Sequence, residues 1–285
     1  MSIETTDTLT GEAYPNAENY QTGAFTYHPA DVSAVEVYWR SGEVEITESD
    51  HSELHVQESG SELPEDIAMH YFLDDGVLRI RFCKSDTKIH VNPADKRLRI
   101  EVPKGIELSV HTTSADIKAD TLEQTGILIS AHSGKTELGT IMADHVDLSS
   151  SAGSIGAAQV TARSLQCSAS SGAVDLGTVS VKALDCSTTS GAVTVGSLRA
   201  KTAQITASSG AVDLTLTEVP TLQIQTSSGN VDLALAKGGA EVLHTASSGR
   251  LLTDCTYERK GDLYVFGSGA GNITVETSSG NLKIQ

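Results

Sequence analysis

The sequence predicts an all-β chain: a parallel β-solenoid, β-helix-like, built of 19-residue coils with right-handed coiling and preceded by an irregular, strand-rich N-terminal portion. Three observations predict it. The stretch Ser170-Ser171-Gly172-Ala173-Val174-Asp175-Leu176 recurs at a fixed step, its glycine position being filled by Gly134, Gly153, Gly172, Gly191, Gly210 and Gly229, each 19 residues from the next, then by Gly249 after 20. One step upstream lands on Ala115. The second and fourth residues after each glycine are apolar (Ile155 and Ala157, Val174 and Leu176, Val193 and Val195, Val212 and Leu214, Val231 and Leu233). A second alternating pair follows later in each repeat, as in Leu165 and Cys167, Leu184 and Cys186, Leu222 and Ile224. Period two means strands with one buried face, and the spacings of three and four that a helix needs are absent.

Taken in order, residues 1–30 are polar with scattered Tyr14, Tyr20 and Tyr27, and are expected to be a flexible or loosely docked lead-in. Residues 31–105 carry alternating stretches from Val32 to Arg40, at Ser41-Gly42-Glu43-Val44-Glu45-Ile46, Glu53 to Gln57, Ala68 to Leu73, Val77 to Phe82 and Arg97 to Val102. They form a strand-rich portion continuous with the solenoid, with Asp74-Asp75-Gly76 as a turn. Residues 106–285 are the regular solenoid with an irregular C-terminal end. The glycine of each Ser-Ser-Gly corner is expected at a turn of positive φ, and Gly139, Gly177 and Gly196 mark a second corner. Beyond Gly229 the register loosens. Gly271 and Gly280 are nine residues apart, so the last coil is foreshortened and ends mid-strand at Gln285. An uncapped rung exposes unpaired backbone, so either residues 257–266 fold over it or another strand pairs there, by self-association through the Gly271–Gln285 edge.

The order Ser41-Gly42-Glu43-Val44-Glu45-Ile46 with Ser49-Asp50, then Arg99-Ile100-Glu101-Val102-Pro103-Lys104, then iterated Ser-Ser-Gly-x-Val-x-Leu resembles a bacterial putative-adhesin family of unknown function, the LiaX-like group. The likeness spans about residues 30 to 285. It implies an all-β solenoid linked to the bacterial cell envelope and its stress responses, and it carries no catalytic residue onto this chain. Ala115 departs from the family's glycine.

Net charge is −17 with pI about 4.8, so nucleic acid and anionic bilayers are repelled by most of the surface. No apolar run is long enough for a transmembrane helix, and Met1-Ser2-Ile3-Glu4 lacks the features of a secretory signal; the expected location is cytoplasmic or peripheral to the envelope. Stacked coils align side chains in columns. The outward column Glu137, Gly156, Asp175, Thr194, Asp213, Asp232 alternates acids with neutral residues except at Asp213 and Asp232, which make either a solvated face or half of a cation site. Ser168, Ser187 and Thr206 start a hydroxyl array of the kind ice-binding solenoids use, or, more simply, a ladder that closes the corner. Cys167 and Cys186 are one repeat apart on an inward column and are expected as reduced core thiols.

The search for catalysis finds no G-x-S-x-G elbow, no phosphate-binding loop and no zinc spacing. His51 and His55, with Asp50 and Glu53, lack a third ligand and are expected on a polar edge. Aromatic residues are absent from Lys84 to Thr256, so a sugar-binding platform would need Tyr38, Trp39, Tyr71 and Phe72, or Tyr257, Tyr264 and Phe266, which otherwise fill a wider core at the two ends. No catalytic, cofactor or metal residue is assigned. The expectation is a non-enzymatic adhesin, scaffold or interaction module with a protein partner; the alternative is a polysaccharide-active enzyme or carbohydrate-binding protein on a β-helix.

Overall fold

The computed structural model describes residues 13–49, 53–61, 63–87 and 95–285. Among them the regular structure is strand, with 3-10 turns at Ala17–Asn19 and Pro29–Asp31, and no helix is long and apolar enough to cross a membrane. The chain forms two compact units, residues 1–139 and 140–285.

Unit 1 contains β1 (Gln21–Thr22), β2 (Phe25–Tyr27), β3 (Ala34–Trp39), β4 (Glu43–Glu48), β5 (Leu54–Ser59), β6 (His70–Asp74), β7 (Val77–Arg81), β8 (Arg97–Val102), β9 (Glu107–Thr112) and β10 (Asp116–Ala131), and the start of β11 (Thr136–Ser150). Period-two alternation sets its core. Val35 and Val37 of β3 lie opposite Leu78 and Ile80 of β7 on one side and Leu108 and Val110 of β9 on the other, all parallel and all buried. In the same way β4 lies between β8 and β10, so Val44 meets Leu98 and Ile117. The coil made by β3 and β4 is therefore interior to the stack although it comes first in the chain. Beyond β7 and β8 the pairing turns antiparallel, through β6 and β1 on one side and β5 and β2 on the other. The Asp75-Gly76 turn joining β6 to β7 has φ of 47° and 78°, the left-handed pair that a two-residue hairpin requires. Of the expected lead-in, residues 1–12 lie outside the described residues. Tyr14 is buried, and β1 and β2 pair with β6 and β5, because four aromatic rings, Tyr14, Tyr20, Phe25 and Tyr27, give this segment apolar area to bury.

Unit 2 contains most of β11, then β12 (Ile155–Ala169), β13 (Val174–Thr188), β14 (Val193–Ala207), β15 (Val212–Glu218), β16 (Thr221–Thr226), β17 (Val231–Ala234), β18 (Ala240–Ala246), β19 (Leu251–Thr253), β20 (Tyr257–Lys260), β21 (Leu263–Phe266), β22 (Gly271–Thr277) and β23 (Leu282–Ile284). From β12 to β14 each residue pairs with the one 19 positions on, as in Val174 with Val193 and Cys167 with Cys186, which is the register the repeat predicts. Val174, Leu176, Val193, Val212, Leu214, Val231 and Leu233 are all buried, at about 1.5–3 kcal/mol for each large side chain removed from water.

Two corrections concern the corners and the coil order. The Ser-Ser-Gly corners do not need glycine for a positive φ: Gly172, Gly191, Gly210, Gly229, Gly249 and Gly280 have none. They need it because successive corners nearly touch. A Cβ on Gly172, Gly191, Gly210 or Gly229 would lie 1.8–1.9 Å from the carbonyl oxygen of the corner below. The ladder is completed by an inward hydroxyl three residues earlier, since Thr188 Oγ1 donates to the Gly191 carbonyl at 3.0 Å and Thr277 Oγ1 to the Gly280 carbonyl at 2.9 Å. In unit 1 Gly42 alone among the corners has a positive φ, 85°, and its carbonyl takes the Asp116 N–H at 3.0 Å. Ala115, the one alanine in the ladder, is stacked on this differently built corner.

The second correction is that the Gly271–Gln285 segment is not the exposed edge. β22 pairs in parallel with β16 on one side and β18 on the other, and β23 lies between β17 and β19. The corner glycines stack in the order Gly229, Gly280, Gly249. Residues 271–285 supply a coil that fits between two others because Ile273, Val275, Leu282 and Ile284 alternate in phase with both neighbours, and all four are buried. The coil that ends the unit is β18 with β19. Residues 257–266 do fold over part of it, as β21 pairs antiparallel with β18 and β20 with β21.

Candidate functional site: the last coil of the second unit

The aromatic residues of the first unit are mostly core. Trp39 is fully buried and meets Phe82 edge-on at 5.0 Å; Tyr38 and Tyr71 are nearly as buried. Tyr71 stacks on Phe25 at 3.7 Å, and Phe72 tilts against Tyr20 at 5.4 Å. Between them lies a cation that the sequence did not single out. Lys96 is fully buried, with its ammonium 2.7 Å from the Glu58 carboxylate, on the carbonyls of Ile67 and Phe82, and 4.0 Å from the Phe82 ring centroid. Burial pulls its pKa down while Glu58 opposes the shift. An Asp-Lys-Arg run before a strand looks like a solvated turn, so only the fold reveals this residue as the post against which Gly42 closes.

On the outer side of the same sheet, Tyr38 is held between Arg81, 3.8 Å above its ring, and His111, stacked at 4.8 Å. Burial, with Arg81 nearby, brings His111 down to about 4 from the usual 6.5. The unfolded chain therefore binds this proton more tightly than the folded one, and the folded state loses stability as pH falls from 6.5 toward 4. The loss approaches about 3 kcal/mol at completion. Urea unfolding followed by the fluorescence of Trp39, the chain's one tryptophan, should show this between pH 7 and pH 4.5. In His111→Gln the same pH step should cost about 2 kcal/mol less. Identical pH dependence in both proteins would remove His111 as its source.

Other expected features are placed as follows. Asp50 and His51 lie outside the described residues; His55 Nδ1 pairs with Thr26 Oγ1 at 3.0 Å. Asp213 and Asp232 are neighbours as the repeat predicts, but the inserted coil continues their column with Lys283, 3.5 Å from Asp232, and Gln285 donates to the same carboxylate. No group of three metal-ligating side chains occurs among the described residues. Cys167 and Cys186 are free, buried and in contact, and that contact and burial push the Cys167 thiol well up. Ser168, Ser187 and Thr206 are in register and half-buried.

What the second unit offers a partner is its last coil. β19 has a ladder partner on one side, β23, and none on the other among the described residues. Leu252 on that strand is 46% exposed, and Tyr257 at the start of the covering hairpin is 47% exposed. Tyr257 is braced by Tyr264 at 5.4 Å and Phe266 at 5.6 Å, so its ring is fixed before anything binds. Exposed apolar side chains beside an open strand edge are the features on which an extended segment adds itself to a sheet. Folding over by residues 257–266 is one of two alternatives the sequence leaves open, and it is expected on the Gly271–Gln285 rung; the hairpin instead covers β18, and the open edge lies on β19.

Comparison with known proteins agrees with this architecture. Among solved structures, the chain is similar to a putative lipid binding protein from Parabacteroides distasonis, with TM-score 0.57, 16% identity, and 94% of this chain and 97% of that one covered. It is also similar to a putative adhesin from Bacteroides fragilis, with TM-score 0.52, 12% identity, and 93% and 97% covered. At these identities the likeness is one of fold. No curated protein matches the chain. The Toastrack DUF4097 model matches residues 32–285, nearly the span over which the ordered Ser-Gly motifs carry the resemblance, and the chain belongs to that family.

Proposed function

We propose that this chain is a non-enzymatic, adhesin-like interaction module of a bacterial cell envelope or envelope-stress system, and that it holds a protein partner at the last coil of its second unit. The observation that carries the reading is the open edge of β19 with Leu252 exposed upon it, next in the chain to the braced Tyr257. β20 of the covering hairpin is likewise paired on one side among the described residues, but beyond Tyr257 it presents Glu258, Arg259 and Lys260, and β13 to β15 present polar columns such as Asp175, Thr194 and Asp213, which suit solvent. A partner strand laid along β19 gains main-chain hydrogen bonds and covers Leu252, a mode in which affinity comes from the backbone and selectivity from alternate side chains. Adhesin-like neighbours in the fold comparison point the same way.

The test is a photo-crosslinking amino acid placed at Leu252 of the full chain in the source bacterium, with Ser180 on the outward face of β13 as the control position. The expected result is one discrete adduct from position 252 and none from 180. It should be lost when Thr253→Pro disturbs the edge. Adducts of equal yield from both positions, or none from position 252, would refute the assignment.

A further inference from the structure

The inserted coil that moves the open edge also leaves a gap in the wall of unit 2. In β12, β13 and β14 the chain runs 15 residues without a break around two sides of the coil. The next coil breaks at Val219-Pro220, where proline has no N–H to offer a ladder. Above it, residues 235–239 carry the chain past the level of β22, and residues 267–270 bring it back down to that level, so neither segment extends a strand on this side. The two crossings are tied to each other and to the break. Ser268 donates from both N–H and Oγ to the Gly238 carbonyl at 2.9 and 2.7 Å, and the Asn272 N–H donates to the Pro220 carbonyl at 2.8 Å.

Beneath these crossings is a half-open cleft of about 460 Å³. That volume lies in the range of small-molecule sites. Its floor is made by the core residues Leu216 and Val219, at the break in their coil, together with Ala240 and Ile273 at the starts of the strands that follow the two crossings. Ala236 narrows one wall, and no aromatic ring lines the cleft. At its rim stands the exposed Lys237; the carboxylate that also lines the cleft, Glu218, pairs with Arg199 at 3.5 Å. The Lys237 ammonium is thus left without a carboxylate among the described residues, on a chain whose net charge is −17.

We propose that this cleft binds one fatty-acid carboxylate of medium chain length, its tail along the Leu216–Ile273 floor and its head at Lys237. A tail needs only apolar contact, which the floor supplies. A sugar or nucleotide would need stacking rings, which the lining lacks, or free polar partners, whereas Thr217 and Glu218 are already engaged with Ser197 and Arg199. One cation at the mouth of an apolar cleft matches one anionic head.

Dodecanoate is the probe, titrated into the full chain below its micelle-forming concentration, by calorimetry and by the methyl resonance of Ile273. The expected result is saturable one-to-one binding that shifts the Ile273 signal. Ala236→Trp should fill the cleft and abolish binding, while Lys237→Glu should weaken it about tenfold, as should replacing dodecanoate by dodecyltrimethylammonium. Lys237 is exposed, so its variant keeps the fold and the test stands even where the tryptophan variant does not fold. No saturable heat and no Ile273 shift would overturn the proposal. So would undiminished binding by folded Ala236→Trp, or equal affinity for the cationic amphiphile.

Discussion

Replacing Gly210 by alanine is expected to destabilise the second unit by about 3 kcal/mol or more and to lower its melting temperature by roughly 10 °C. The added methyl would sit 1.8 Å from the Gly191 carbonyl oxygen, a backbone atom that no rotamer change can move aside. Relief requires the two coils to separate at this corner, and separation breaks ladder pairs in register on both sides of it, Thr188 with Ala207 and Val193 with Val212. Gly105 of the first unit provides the contrast. Nothing lies within 4 Å of a Cβ there, but its φ is 77°, so Gly105→Ala carries only the left-handed penalty of about 1 kcal/mol. Calorimetry of both variants checks the ranking. A Gly210→Ala protein as stable as the parent would show that corner spacing is not what fixes glycine in the repeat.

The same residue explains how far the sequence could be read. A recurring glycine announces a corner, but positive φ and close approach both select it, so its identity was legible and its reason was not. The inward columns were legible because period two is a direct consequence of strand geometry: Val174, Val193 and Val212 are buried in register as expected. The order of the coils was not legible. The 20-residue step from Gly229 to Gly249 looks like one more coil laid on the last, and nothing local says that residues 271–285 will come between them. Gly271 added to the difficulty, because it opens β22 rather than forming a corner; the corner of that coil is Ser278-Ser279-Gly280. The first unit repeats the lesson, since β3 and β4 precede β7 and β8 in the chain yet lie interior to them. For the candidate site this decided everything. Folding of residues 257–266 over an end was readable from the sequence as one alternative, whereas the open edge at Leu252 and the cleft under the crossings exist only because the coil order is permuted.

Val275→Asp tests that permutation directly and should be the most damaging single change in the second unit. Val275 is fully buried, opposite Ile224 on β16 and His244 on β18. An aspartate there places a carboxylate between two coils, its one titratable neighbour on the column being His244, whose pKa burial lowers, at a cost of about 4 kcal/mol or more if it stays charged. Protonation would relieve part of that cost, so the defect should shrink as pH is lowered toward the carboxylate range. Leu252→Asp lies on the open edge of β19 and should change stability by no more than about 0.5 kcal/mol. The ranking follows from side-chain facing, since Leu252 lies on the outward column of Asp213, Asp232 and Lys283 whereas Val275 faces the core; the order of the coils is read from where protection is lost. Hydrogen exchange adds position to the comparison. In Val275→Asp the amides of β16 and of β18 should both lose protection, because one strand supplies the partner for each, and the β12–β13 ladder several coils away should retain it. Loss of protection in β16 alone, with β18 unaffected, would mean that β22 does not lie between them.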